Sequence, residues 1–154
     1  MATVSVLNVG DTFTAANQND IANQLNQMHA YMTLANPNVS TPGSGTATWV
    51  TMGNITVPAW ATRARVSLSM AGIQNNAANA AADIAVKIGS STGGLWRLQT
   101  QQATGRMDAG AFNSLLTSVP TGSQSVTVQA TFGASTYTAP STVCSFDLNI
   151  DWLA

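Results

Sequence analysis

The sequence predicts a mainly β protein, an antiparallel jelly-roll-like β-sandwich preceded by a short N-terminal α-helix. Two patterns lead to this prediction. Near the N-terminus, apolar residues recur at spacings of four and three, as they do along one face of a helix. After residue 46, apolar and polar residues alternate, which is the period of a strand with one buried face. No helical pattern separates the later strands, which argues against a parallel α/β sheet.

Residues 1–35 are interpreted as an anchor and oligomerisation segment that contains the helix. Thr14 is a suitable N-cap for a helix beginning at Ala15, and Asn36-Pro37 would end it after residue 35. The apolar stripe consists of Ile21, Leu25, Met28 and Met32. A helix that packs on its own sandwich would show such a stripe, but the spacing and the linker that follows favour association between helices. We therefore expect a homo-oligomer, with a trimer as the expected number.

The rest of the chain predicts a linker followed by a β-sandwich domain. Residues 36–46, NPNVSTPGSGT, form the linker, and residues 47–154 form a sandwich that is expected to fold without the preceding segment. Clear alternation predicts strands in residues 65–70, 83–88, 126–132 and 144–152, and weaker patterns predict strands in 48–52, 55–57 and 95–101. The segment GSSTGG at 89–94 predicts a turn between strands and not a phosphate-binding loop, because no lysine or helix pattern follows it.

Composition restricts the partners. Only 7% of residues are charged, against roughly 25% in an ordinary soluble domain, and the net charge is −1. Such a surface repels copies of itself weakly and offers no long-range attraction for nucleic acid or for an anionic membrane. No stretch has the roughly 18 apolar residues of a membrane span, and the first residues do not resemble a signal peptide. We expect no nucleic-acid or membrane partner and no export by the general secretory route.

The residues that carry enzymatic or metal chemistry are few and scattered. His29 is the single histidine and lies in the predicted helix, whereas the single cysteine, Cys144, lies on the inward side of the last strand. Asp147, Asn149 and Asp151 resemble the first half of a calcium loop but lack its glycine and its distant glutamate. We interpret these three residues as a polar outer face that could line a subunit contact. The sequence predicts no catalytic site, no metal and no cofactor.

Two segments resemble parts of known proteins. Residues 9–22, VGDTFTAANQNDIA, resemble the opening of many tailed-bacteriophage virion proteins. Residues 55–60, ITVPAW, followed by 65–69, RVSLS, are similar to the first strands of phage minor-tail, fibre and head-decoration sandwiches. The resemblance implies a non-enzymatic, oligomeric component of the virion surface that is assembled in the cytoplasm of the host bacterium. Its partners would be itself and other virion proteins, such as major capsid or tail proteins, with Gly10, Asp11 and Phe13 as the particle anchor.

Three classes of function remain open at this stage. The first is a capsid decoration protein, a spike or a small tail component. The second is the receptor- or carbohydrate-binding head of a tail fibre, which would serve host attachment through the stacking faces of Trp49, Trp60, Trp96 and Tyr137. The third is a polysaccharide-degrading enzyme, for which no pattern pairs two carboxylates. The sequence favours the first class.

Overall fold

A computed structural model describes residues 18–19, 27–37, 39–40, 45–75, 81–99, 105–132, 137–139 and 144–154. Within these ranges the chain forms eleven strands: β1 (His29–Ala35), β2 (Val39–Ser40), β3 (Gly45–Val57), β4 (Arg63–Asn75), β5 (Ala81–Ile88), β6 (Ser91–Thr92), β7 (Trp96–Gln99), β8 (Gly105–Leu116), β9 (Gly122–Phe132), β10 (Tyr137–Ala139) and β11 (Ser145–Leu153). The described part of the chain has no helix that is long and apolar enough to span a membrane.

The strands form two sheets in which every described pair is antiparallel. In the first sheet the order is β1-β11-β4-β10-β2, and β8 also pairs with β4. In the second sheet the order is β3-β9-β5-β6, and β7 also pairs with β5. The long-range pairs are nested, because β1 pairs with β11, β3 with β9, β4 with β8, and β5 with β7. The chain is therefore folded back on itself as one long hairpin whose arms alternate between the two sheets.

The core lies between the sheets and is built from the alternating side chains that the sequence predicts to be apolar. In β11, Phe146, Leu148 and Ile150 are fully buried, and the same holds for alternate residues of β4, β5 and β9. Two aromatic pairs bridge the sheets. Trp49 of β3 meets Phe146 of β11 edge to face with ring centroids 5.4 Å apart. Trp96 of β7 stacks on Phe112 of β8 at 5.2 Å. These pairs join the two layers near opposite edges of the sandwich.

The predicted β class and antiparallel arrangement are confirmed, and two local features refine them. The weak patterns at 48–52 and 55–57 belong to a single strand, β3, whose register with β9 shifts on either side of Thr51. Gly53, at φ 132°, provides the backbone conformation that this irregularity needs. The predicted turn at 89–94 is confirmed in part, because residues 89–90 form a turn while Ser91–Thr92 form the short strand β6. Gly89 adopts φ 58°, and a Cβ there would lie 2.7 Å from the ring of Pro120.

The prediction of a helix through Ala35 is wrong for residues 29–35, because these residues form strand β1. All seven pair with β11, from His29 opposite Asp151 to Ala35 opposite Ser145. Ala30, Met32 and Leu34 pack against the core, while the residues between them face outward. The ladder of hydrogen bonds along β11 and the burial of this apolar face both stabilise the extended form, which outweighs the local helical pattern.

The remainder of the expected helix is only partly described. Gln18, Asn19, Gln27 and Met28 have helical backbone, in pieces too short to establish the helix. Ile21 and Leu25 lie outside the described residues, so the helical stripe stays a prediction. The expected linker at 36–46 contains β2 and the first two residues of β3, and the Asn36 amide donates to the carbonyl of Cys144 at 2.7 Å. The predicted limit of the N-terminal segment, at residue 35, would therefore separate β1 from the sheet to which it belongs.

Candidate interaction surface

The solvent side of the first sheet carries a group of polar residues that the fold brings together from distant parts of the chain. We call it the outer face; it consists of His29, Tyr31 and Thr33 on β1, Asp147, Asn149 and Asp151 on β11, Arg65, Ser67 and Ser69 on β4, and Asn113 and Leu115 on β8. The strand register aligns these residues in rows across the sheet. One row runs from His29 through Asp151 and Arg65 to Leu115. Residues from four separate parts of the sequence thus share one surface.

Side chains of β1 and β11 are joined by a network centred on two carboxylates. Thr33 Oγ1 donates to Asp147 Oδ1 at 2.7 Å, and Tyr31 Oη donates to the same oxygen at 2.9 Å. His29 Nδ1 lies 2.7 Å from Asp151 Oδ1. The hydroxyls of Thr33 and Tyr31 lower the pKa of Asp147, and the hydrogen bond to Asp147 raises the pKa of Tyr31. These contacts fasten β1 to the sheet in addition to its backbone pairing.

Acidic pH is expected to weaken the side-chain contacts between β1 and β11. Because the pKa of Asp147 in the folded protein is below the ordinary value of 3.8, its ionised form stabilises the fold above about pH 4. That contribution is lost as the pH falls through the lowered pKa. The raised pKa of Tyr31 acts in the opposite sense: its contribution is present below about pH 10 and is lost as the pH rises further.

Thermal melts between pH 6 and pH 2.5 test this expectation, with amide exchange of β1 followed by NMR. Asp147→Asn should lower the melting temperature at pH 6 and should show a smaller decrease on acidification than the original chain. Thr33→Val should act in the same direction, because it removes one donor to the carboxylate. Equal pH dependence in the original chain and in Asp147→Asn would contradict the proposed role of this network.

The outer face has the chemistry of a protein contact. Most of its side chains are hydroxyls and amides, and Arg65 lies opposite Asp151, so positive and negative charge are interspersed. Tyr31 is 61% exposed and Leu115 is 46% exposed, which provides apolar area among the polar groups. Tyrosine is enriched at protein interfaces, where its ring is buried and its hydroxyl is hydrogen-bonded. The surface suits a partner that is also neutral and polar.

The carboxylates of this surface are spread along one side of a single strand. Asp147, Asn149 and Asp151 are spaced two residues apart along the outward side of β11, and both carboxylates are bonded to side chains of β1. Across the described ranges, no group of three or more His, Cys, Asp or Glu residues is placed to hold a metal ion. The absence of a structural metal remains a prediction of the sequence.

The histidine and the cysteine are not brought together. Cys144 is 2% exposed, and burial raises the pKa of its thiol to about 11, which disfavours the reactive thiolate. His29 lies at the other end of the first sheet, opposite Asp151. Asp151 lies seven positions after Cys144 along the extended chain, a distance of roughly 23 Å at 3.3 Å per residue. The thiol therefore behaves as a small core residue.

The other predicted site residues differ in exposure, and some of them lie outside the described ranges. Met28 is 40% exposed, and Met32 is half-buried against β3, where its methyl carbon lies 3.3 Å from the position of a Cβ on Gly53. Ile21, Leu25, Gly10, Asp11 and Phe13 lie outside the described residues. Of the stacking candidates, Trp49 is buried, Trp60 and Trp96 are half-buried, and the side chain of Tyr137 is not described. The sequence analysis missed Tyr31 and Thr33, although HAYMTLA at 29–35 alternates with a strand period.

Comparisons with known proteins complete the description. No protein-family model matches the chain, and no curated protein matches it. Among solved structures, the tripod from the baseplate of bacteriophage Tuc2009 is 11% identical over 98% of this chain and 99% of its own, with a TM-score of 0.36. The VP2 subviral particle of infectious bursal disease virus is 10% identical, with a TM-score of 0.41 over 79% of this chain and 32% of its own. DesR, a beta-glucosidase from Streptomyces venezuelae, is 16% identical, with a TM-score of 0.34 over 75% of this chain.

The chain spans only 11% of the length of the beta-glucosidase and about a third of the length of VP2. The similar structures include a phage baseplate component and a viral particle protein. Similarities at these TM-scores do not establish a function for this chain.

Proposed function

We propose that this protein is a non-enzymatic structural component of a bacteriophage particle, displayed on the particle surface as a capsid decoration protein, a spike or a small tail component. In this proposal it associates with copies of itself, with a trimer as the expected number, and with another virion protein. The residues before β1 attach the assembly to the particle, and the sandwich is presented outward.

The strand order supports this proposal at the level of architecture. We infer that the two sheets form a jelly roll, with β1-β11-β4-β8 facing β3-β9-β5-β7 and with each long-range pair nested inside the previous one. Jelly rolls occur in viral capsid proteins and also in lectins. The architecture is thus compatible with a particle protein and with a sugar-binding protein, and function has to be argued from the surface.

The observation that carries the proposal is the outer face. It presents hydroxyl, amide and aromatic groups on a stiff sheet, and Asp147 and Asp151 are each already engaged by side chains of β1. The whole chain has a net charge of −1. Copies of such a protein repel one another weakly, so modest contacts are sufficient for them to associate. We place the contact between copies on the outer face apart from His29, which lies at the end of the edge strand β1.

The experiment is reconstitution of decorated particles from the purified full chain. Light scattering of the isolated protein should give the mass of an oligomer at micromolar concentration. Labelled protein added to particles that lack it should appear on their surface by electron microscopy. A monomer mass together with no binding to particles would overturn the proposal.

A matched pair of variants tests the surface itself. Ser69→Arg places a long cation on the outer face, whereas Thr48→Arg places the same side chain on an exposed position of β3 in the other sheet. We expect Ser69→Arg to weaken self-association at least tenfold and Thr48→Arg to leave it unchanged. If both variants assemble like the original chain, the contact between copies lies elsewhere.

A second candidate function is favoured by one specific feature. Trp60 is half-buried and lines a cleft at one end of the sandwich. It is one of the four aromatic residues that the sequence suggests for stacking on a sugar. This feature supports a receptor- or carbohydrate-binding head, which is compatible with display on a particle.

A further inference from the structure

A cleft of about 510 Å³ lies at the end of the sandwich where β1 begins and where β3 and β11 end. Its lining comes from three separate parts of the chain: Gln27, His29 and Ala30; Thr56, Pro58, Ala59 and Trp60; and Trp152. The volume falls within the range of roughly 300–1,000 Å³ that is usual for small-molecule sites. Trp152, which is 2% exposed, closes the cleft on the side of the core.

The backbone at Trp60 is held in place by a short turn with fixed ends. The amide of Ala61 donates to the carbonyl of Pro58 at 3.0 Å, which closes the turn that presents Trp60. The amide of Thr62 then donates to the carbonyl of Leu153 at 2.9 Å, at the end of β11. Trp60 also packs against the core. Because the turn is tied to the sheet, a ligand that stacks on Trp60 would not have to order it first.

Polar groups other than Asp, Glu, Lys and Arg side chains surround this aromatic surface. Thr56 and Gln27 are exposed and offer a hydroxyl and an amide. His29 is oriented by the contact of its Nδ1 with Asp151, so Nε2 is the other polar atom that its ring offers. None of the described residues that line the cleft is Asp, Glu, Lys or Arg. The lining thus combines one stacking surface with hydroxyl, amide and imidazole groups.

We propose that this cleft binds a neutral saccharide, with a sugar ring stacked on Trp60 and its hydroxyls hydrogen-bonded to Thr56, Gln27 and His29. A pyranose has an apolar C–H face and an equatorial ring of hydroxyls, which matches an aromatic platform edged by hydroxyl, amide and imidazole groups. A phosphorylated or sialylated ligand is disfavoured because the described lining holds no Lys or Arg to balance its charge. The inference deepens the second candidate function and does not depend on where the protein sits on a particle.

The test uses the full chain and four defined probes: cellotriose, maltotriose and N,N′,N″-triacetylchitotriose as neutral saccharides, and 3′-sialyllactose as an anionic one. Saturation-transfer NMR and isothermal titration calorimetry should detect at least one neutral trisaccharide, with a dissociation constant on the order of 0.1–1 mM, as expected for a small open site. The proposal would be overturned if none of the three neutral probes bound at concentrations tenfold above the expected dissociation constant. Tighter binding of 3′-sialyllactose than of any neutral probe would also overturn it.

Variants locate the site. Trp60→Ala should weaken binding at least tenfold, while Trp60→Phe, which keeps a stacking face, should retain most of the affinity. Thr56→Val should weaken binding severalfold, and Thr51→Val, an exposed threonine of the same strand outside the cleft, should not. If Trp60→Ala does not fold, the comparison of Thr56→Val with Thr51→Val tests the location of the site. Unchanged affinity in Thr56→Val would place the ligand elsewhere. Particle decoration is measured separately, so a failure of saccharide binding is distinguishable from a failure of the structural function.

Discussion

A chain that begins at Thr46 is expected to lose the cooperative fold, although the sequence pattern predicts that residues 47–154 fold alone. The truncation removes β1, so the seven residues of β11 that pair with it would present an open edge. It also removes the half-buried Met32 and Leu34, which cover the core near this edge. Their contacts contribute roughly 1 kcal/mol each, and the exposed apolar surface would favour aggregation.

A chain that begins at Gln27 is the matched control, because it keeps β1 and lacks only the preceding residues. Circular dichroism melts, dye binding and light scattering of both chains measure the difference. We expect a cooperative β-type melt for the control and a molten or aggregating product for the shorter chain. A cooperative melt of the shorter chain within a few degrees of the control would show that β1 is dispensable and that the sandwich is self-sufficient.

Phe146→Ala is expected to cause the largest loss of stability from a single substitution in the described core. Phe146 is fully buried, lies between Leu34 of β1 and Met70 of β4 in the register of the first sheet, and meets Trp49 of the second sheet. Removing its ring would leave a cavity bordered by both layers. Substitutions of this kind cost about 3–5 kcal/mol, a large share of the 5–15 kcal/mol that stabilises a typical domain.

Chemical denaturation of the full chain measures this change in the free energy of unfolding. In a protein of this size the expected loss corresponds to a decrease in melting temperature of about 10 °C or more. Phe146→Leu should cost about 1–2 kcal/mol, since it keeps part of the volume. Leu115→Ala, at a position 46% exposed on the outer face, should change stability by less than about 0.5 kcal/mol. A loss below 1 kcal/mol in Phe146→Ala would contradict the described packing.

The predicted site residues show which structural properties the local sequence pattern can predict. Strict alternation in β11 correctly assigns Phe146 to the core and Asp147 to the surface, because neighbouring side chains of a strand point to opposite faces. The partners of Asp147 could not be predicted in the same way. Thr33 and Tyr31 lie more than a hundred residues earlier in the chain and reach it only through the pairing of β1 with β11.

The misassigned segment has a physical explanation. Between residues 28 and 35 the apolar positions fit two periods: Met28 and Met32 continue the helical spacing of the preceding residues, whereas Ala30, Met32 and Leu34 alternate like a strand. Periodicity over so few residues does not distinguish the two structures. The pairing with β11 does distinguish them. Its edge supplies backbone hydrogen-bond partners for an extended segment, and the adjacent core buries the apolar side chains of that segment.

The sequence by itself therefore determined which residues face inward and outward within the predicted parts of β4, β9 and β11, that a glycine turn begins at residue 89, and that the surface is almost uncharged. These properties depend on residue type and on neighbours one or two positions away, so they can be read locally. Only the tertiary structure decided which strands pair, that residues 29–35 complete the first sheet, and that Trp60, Thr56, His29 and Trp152 share a cleft. Those properties depend on contacts between distant segments, where backbone pairing and burial of apolar surface together outweigh local preference.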